Sequence, residues 1–117
     1  MSVVRIALAN IRVPPTPEDS VRLAMSAVAD AGRRGVAVIC FPECFVTGYR
    51  WPNTSAPSPD PAFLERAWTA VADAARTARV AVILGTERMT TWAAAELALR
   101  GRGPPPVPRR IGLVLAG

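Results

Sequence analysis

Histidine and lysine are both missing from this 117-residue chain: it has no histidine, and all fourteen of its basic residues are arginine. Without histidine there is no Ser-His-Asp or Cys-His mechanism and no His-containing metal site. Without lysine there is no P-loop phosphate ligand and no Schiff-base amine. Cysteine is scarce as well. Cys40 and Cys44 are too few for a disulfide scaffold, and a metal pair built from them lacks the other ligands a site needs. The expectation is therefore no metal and no cofactor. Apolar runs fall far short of a bilayer span, so no membrane partner is expected. The opening Met1-Ser2-Val3-Val4-Arg5 breaks its apolar run too early for a secretory leader, which points to a cytoplasmic, reducing compartment with free thiols.

What is present fits one small domain. Half of the residues are apolar and a fifth are charged, the usage of an ordinary globular chain. The formal charge of +5 is unevenly placed. Residues 1–87 carry nine arginines against eight acids, whereas residues 88–117 carry five arginines against Glu96 alone. Most of that excess flanks a proline-rich stretch, Arg100-Gly101-Arg102-Gly103-Pro104-Pro105-Pro106 and Arg109-Arg110, which reads as a solvated linker or tail. A nucleic-acid interface would instead set its charge on a folded face among aromatics, so no nucleic-acid partner is expected.

The order of elements is legible. Val3–Ala9 is a short β-branched strand candidate. Thr16-Pro17-Glu18-Asp19 announces a helix, with a threonine cap, proline at the first helical position and acids in the first turn. Val21, Met25 and Val28 recur at helical spacing beside Ala24 and Ala31, and Gly32 or Gly35 can end the helix. Val36–Phe41 is apolar at every position, which predicts a parallel strand buried on both faces. Pro42 to Pro59 reads as a loop. Asp60-Pro61 repeats the cap-and-proline signature before a stripe of Leu64, Ala67, Trp68, Val71 and Ala75. Val80–Leu84 is another apolar strand, ended by Gly85. This β-α-β-α-β order predicts an α/β layered domain with a largely parallel sheet and right-handed crossovers. Beyond Glu87, a helix over 90–100 and a short strand over 111–115 are compatible with the residues.

The chemistry concentrates in Phe41-Pro42-Glu43-Cys44-Phe45-Val46-Thr47-Gly48-Tyr49. An acid placed just after a buried strand lies at the strand's carboxyl end, the edge that faces the ligand crevice in open α/β sheets. Flanked by apolar residues, such a carboxylate would hold its proton more tightly and could act as a general base. A salt-bridged or capping loop acid is the alternative reading of the same spacing. Cys40 reads as a small buried hydrophobe.

Together with Val4-Arg5-Ile6-Ala7-Leu8-Ala9-Asn10 before it and Val82-Ile83-Leu84-Gly85-Thr86-Glu87 after it, this segment resembles the start of the nitrilase, or carbon–nitrogen hydrolase, superfamily. The resemblance covers residues 3–88. It implies a partial nitrilase-like α/β sandwich layer and hydrolysis of amide or nitrile C–N bonds through a Glu-Lys-Cys triad. Glu43 matches the triad glutamate, the catalytic base that activates the cysteine. Tyr49, in the loop that would border the crevice, is a candidate substrate contact; the plainer reading is a loop aromatic packed on the domain edge. The family's lysine and nucleophilic cysteine lie farther downstream than the resemblance reaches, and Cys44 does not match that nucleophile.

Two functional expectations follow. The first is a carbon–nitrogen hydrolase chain of amidase or nitrilase type, truncated and inactive alone, acting on a small-molecule amide or nitrile if completed. The second is a non-catalytic remnant or interaction module of the same fold. Either could form a homo-oligomer. Residues 1–88 are expected to form the amino-terminal part of the hydrolase domain. Residues 89–117 are expected to be a foreign or frame-shifted basic, proline-rich tail that packs poorly and leaves the last strand's edge open.

Overall fold

A computed structural model of the chain describes residues 3–12, 14–48, 60–88 and 109–115. Six elements follow one another: β1 (Ile6–Leu8), α1 (Pro17–Arg33), β2 (Val38–Cys40), α2 (Pro61–Ala78), β3 (Ala81–Arg88) and β4 (Arg109–Leu115). The sheet runs in the order β1-β2-β3-β4, with the first three strands parallel and β4 antiparallel to β3. The alternation of strand and helix is as the residues predicted.

Both helices start where their caps predict. The Thr16 hydroxyl oxygen accepts the Asp19 N–H at 3.1 Å, which satisfies one of the orphan donors of the first turn. Asp60 does the same for the Ala62 N–H at 3.0 Å, and a proline opens each helix. The buried stripe of α1 is Ser20, Ala24, Val28 and Ala31. That differs from the predicted stripe: Met25 is 39% exposed and Val21 only half-buried. The reason is close packing. The α1 residues that face α2 and the sheet are the small ones, and Gly32 sits so near α2 that an added Cβ would lie 2.8 Å from the Ala78 Cβ. In α2 the buried residues are Leu64, Ala67, Val71 and Ala75, as expected, with Trp68 packed on the core margin.

The two helices cover one face of the sheet only. Ala7, Ile39 and Val82 are register partners on that face, and with Leu84 they join the helical stripes in a single core. Each of the large side chains buried there, such as Val28, Leu64, Val71 and Leu84, stabilises the fold by about 1.5–3 kcal/mol relative to exposure. The opposite face corrects the expectation of strands buried on both sides. Ile6 is 64% exposed, Leu8 79% and Ile83 37%, while Val38 and Cys40 are only half-buried. Cys40 is therefore not a core hydrophobe. No described helix lies over this face.

The tail also departs from expectation. Residues 109–115 pair with Val82–Arg88 over seven register positions, so the β3 edge that was expected to stay open is occupied. The candidate helix at 90–100 lies outside the described residues.

Helix α2 ends on Arg79 in the left-handed region, at φ 56°, where an L side chain is strained. Replacing this exposed residue, Arg79→Gly, is expected to raise unfolding stability by about 0.5–1 kcal/mol. Gly32→Ala should act in the opposite direction, lowering it by about 1–3 kcal/mol as α1 is pushed from Ala78. Urea unfolding followed by circular dichroism checks both signs.

Candidate functional site

The carboxyl end of β2 is fastened on both sides. The Ala9 N–H donates to the Cys40 carbonyl at 2.8 Å, and the Phe41 N–H to the Ile83 carbonyl at 2.9 Å. The chain then leaves the sheet and turns over residues 43–47. Three consecutive side chains of that turn point inward: Cys44, Phe45 and Val46 are at most 1% exposed. The Phe45 ring lies 5.3 Å from the Phe41 ring at a 40° tilt, so the residues on either side of Pro42-Glu43 are anchored on each other. Within the turn, the Phe45 N–H donates to the Pro42 carbonyl and the Gly48 N–H to the Cys44 carbonyl. Cys44 adopts φ 54°, left-handed for a non-glycine residue, and Gly48 φ 81°. The tight reversal is thus held by buried anchors rather than by local preference.

The decisive contact is with β3. At Gly85 a Cβ would lie 2.0 Å from the Pro42 carbonyl oxygen and 2.8 Å from the Glu43 Cα, distances that no side chain tolerates. The Pro42–Glu43 peptide therefore rests directly on the bare backbone of β3. The Val46 N–H adds a bond of 3.4 Å to the Gly85 carbonyl. Glu43 is set by backbone-to-backbone packing at the carboxyl end of β2.

The Glu43 side chain is exposed, whereas that of Cys44 is 1% exposed. Neighbours in sequence thus occupy different environments. The apolar enclosure expected around the Glu43 carboxylate is not provided by its described neighbours, because Phe41, Phe45 and Val46 turn into the core instead. Tyr49, the candidate substrate contact, lies outside the described residues, as do Arg50 and Trp51.

Two polar groups near this turn went unnoticed in the sequence. Glu87 is 3% exposed, a buried acid on β3. The period of two places it on the same strand face as Gly85, toward the Glu43 turn, while Thr86 faces α2 and accepts the Trp68 indole N–H at 3.0 Å. Counting two residues on from the glycine of Leu84-Gly85-Thr86-Glu87 would have found it. The second is Thr47, whose hydroxyl oxygen is buried without a hydrogen-bond partner. No sequence signal marks it. Among the described residues there is no cluster of three acids or thiols placed to hold a metal ion.

The carbon–nitrogen hydrolase family model matches residues 5–97. The chain belongs to the carbon–nitrogen hydrolase family. The match runs past the limit near residue 88 that the resemblance set, and so into what was read as a foreign tail. No curated protein matches the chain. For this carbon–nitrogen hydrolase chain, the Phe-Pro-Glu segment and the glycine of β3 are two halves of one contact, which gives their joint occurrence a steric reason.

Gly85→Ala is the direct test of that contact. It is expected to lower stability by about 1–3 kcal/mol and to displace the Glu43 turn. Amide shifts of Phe45 and Val46 should move in a heteronuclear NMR spectrum, with those of the α1 amino-terminus unchanged. A variant with wild-type stability and an undisturbed turn would show that the peptide does not rest on β3.

Proposed function

We propose that this chain is the glutamate-bearing part of an amide- or nitrile-hydrolysing enzyme, with Glu43 as its general base. The observation that carries the reading is the placement of Glu43 at the carboxyl end of β2 by the Gly85 contact, within a chain of the carbon–nitrogen hydrolase family. In the triad that the resemblance implies, Glu43 takes the thiol proton of a cysteine. The thiolate then attacks the amide or nitrile carbon, and a lysine ammonium stabilises the negative charge that develops on the substrate heteroatom. Glu43 returns the proton to the nitrogen, which leaves as ammonia or an amine and so gives a thioester; a nitrile's thioimidate reaches the same thioester only after it has added a water. Water then cleaves the thioester, with Glu43 again accepting the proton.

This chain supplies one of the three groups. It has no lysine at all, and Cys40 and Cys44 lie on β2 and inside the turn rather than on a separate segment facing Glu43. The lysine and nucleophile would come from polypeptide outside this sequence, either a second chain or a longer product. The buried, unpartnered Thr47 hydroxyl is in keeping with a turn that awaits a further polar neighbour. A small-molecule amide or nitrile is the substrate class, and a reducing cytoplasm is the compartment proposed for its two free thiols. No described helix is long and apolar enough to cross a membrane.

The exposure of Glu43 and the absence of lysine favour a second reading, a non-catalytic module of the same fold. Ammonia release separates the two. The purified chain alone is expected to release none above background from simple amides or nitriles. Mixed with a lysine- and cysteine-bearing carboxyl-terminal part of a family member, it should gain turnover, and Glu43→Gln should lower that turnover by about 10²–10⁴-fold. Reconstituted turnover indifferent to Glu43→Gln removes Glu43 from the mechanism. A folded mixture that never turns over supports the non-catalytic module.

A further inference from the structure

Among the described acids only Glu87 is buried; the others are exposed or half-buried. A carboxylate is kept out of water only where donors or a cation hold it, so Glu87 is a fixed group of the fold. The triad gives it no task.

Its place on β3 suggests one. Ala81, Ile83, Gly85 and Glu87 share a strand face by the period of two. Exposure falls along that face, from 37% at Ile83 to 3% at Glu87. Among the described residues, the chain lying on the face between them is the Pro42–Glu43 peptide, seated on Gly85. Glu87 stands two residues farther along the strand, about 6.6 Å at the usual rise, within the span of two glutamate side chains. Arg110 is its register partner on β4, so a cross-strand ion pair is the rival task for the same carboxylate. Such a pair by itself leaves the sheet face open to water, whereas the burial of Glu87 calls for cover on that face.

The turn also needs a further anchor. Cys44 is held in the left-handed region, and the turn's described main-chain bond to β3, from Val46 to Gly85, is 3.4 Å long, beyond the usual 2.7–3.2 Å. A catalytic base has to be held to within about 0.5 Å of its working position. We propose that Glu87 is a positioning residue for Glu43, its buried carboxylate securing the Glu43 turn from the β3 side. The reading of Glu43 as a general base gives this hold its purpose, but the hold itself is a property of this chain alone.

Nuclear magnetic resonance of the chain, labelled with carbon-13 at the carboxyl groups of its glutamates, tests it. Glu87→Gln keeps the shape of the side chain and removes its charge. The Glu43 carboxyl signal and the amides of residues 44–48 are expected to shift, with the Glu18 and Glu65 signals and the α1 amides unmoved. Glu87→Asp, which keeps a carboxylate, should shift them less. A group that merely fills space would leave the turn unmoved in Glu87→Gln, and that result overturns the proposal. So do changes confined to residues 109–115, which would assign the carboxylate to the pair with Arg110. Where Glu87→Gln fails to fold, the unmodified chain decides: nuclear Overhauser contacts from the Glu87 side chain to the amides of residues 44–48 are expected, and their absence overturns the proposal. In the reconstituted enzyme, Glu87→Gln should lower kcat by up to about 10²-fold with KM unchanged, and an unchanged kcat counts against the hold. Turnover that never appears sinks the hydrolase reading instead, and leaves the resonance result to stand by itself.

Discussion

The contact between the Pro42–Glu43 peptide and the bare Cα of Gly85 governs the site end of this molecule. Because β3 carries no side chain there, the chain leaving β2 can lie against its backbone and then turn sharply. The turn is closed by hydrogen bonds from Phe45 to Pro42 and from Gly48 to Cys44, and joined to β3 through Val46 and Gly85. Burial of Phe41, Phe45 and Val46 supplies the free energy that holds Cys44 in its left-handed conformation. A candidate catalytic residue is thereby carried on a short, well-anchored turn whose main chain rests on β3.

The helical layer follows a related economy of size. Ala24, Ala31 and Gly32 on α1 and Ala67, Ala75 and Ala78 on α2 let the two helices approach closely, while Val28, Leu64 and Val71 fill the space above the sheet. The result is a well-packed core on one side of the strands and, across β1, β2 and the start of β3, apolar side chains on the other. This asymmetry is the main physical tension in the fold. The same residues that would make β1 and β2 good interior strands leave Ile6 and Leu8 facing solvent in the isolated chain.

β4 relieves a different liability. By pairing with β3 it covers a strand edge that otherwise offers unpaired backbone groups. Its arginine-rich start, Arg109-Arg110, aligns with Arg88 and Glu87 of β3, and its apolar end with Val82 to Leu84. The compositional break after Glu87 thus separates two strands of one sheet.

Local chemistry was enough to set the caps and the order of elements. Thr16-Pro17 and Asp60-Pro61 act through their own neighbouring N–H groups, so helix starts could be read from a few adjacent residues. The Phe-Pro-Glu segment likewise marked Glu43 by its place after an apolar run. Other features depend on partners distant in the chain. Which side of α1 is buried was decided by the approach of Gly32 to Ala78, which no periodicity encodes. The continuous apolarity of Val36–Phe41 records suitability for burial on both faces, but whether a second layer is present depends on what else packs there. The exposure of Glu43 and the burial of Glu87 depend on how the turn and β3 meet. Those outcomes belong to the tertiary structure, because only the assembled strands determine which side chains share a face and which of them meet water.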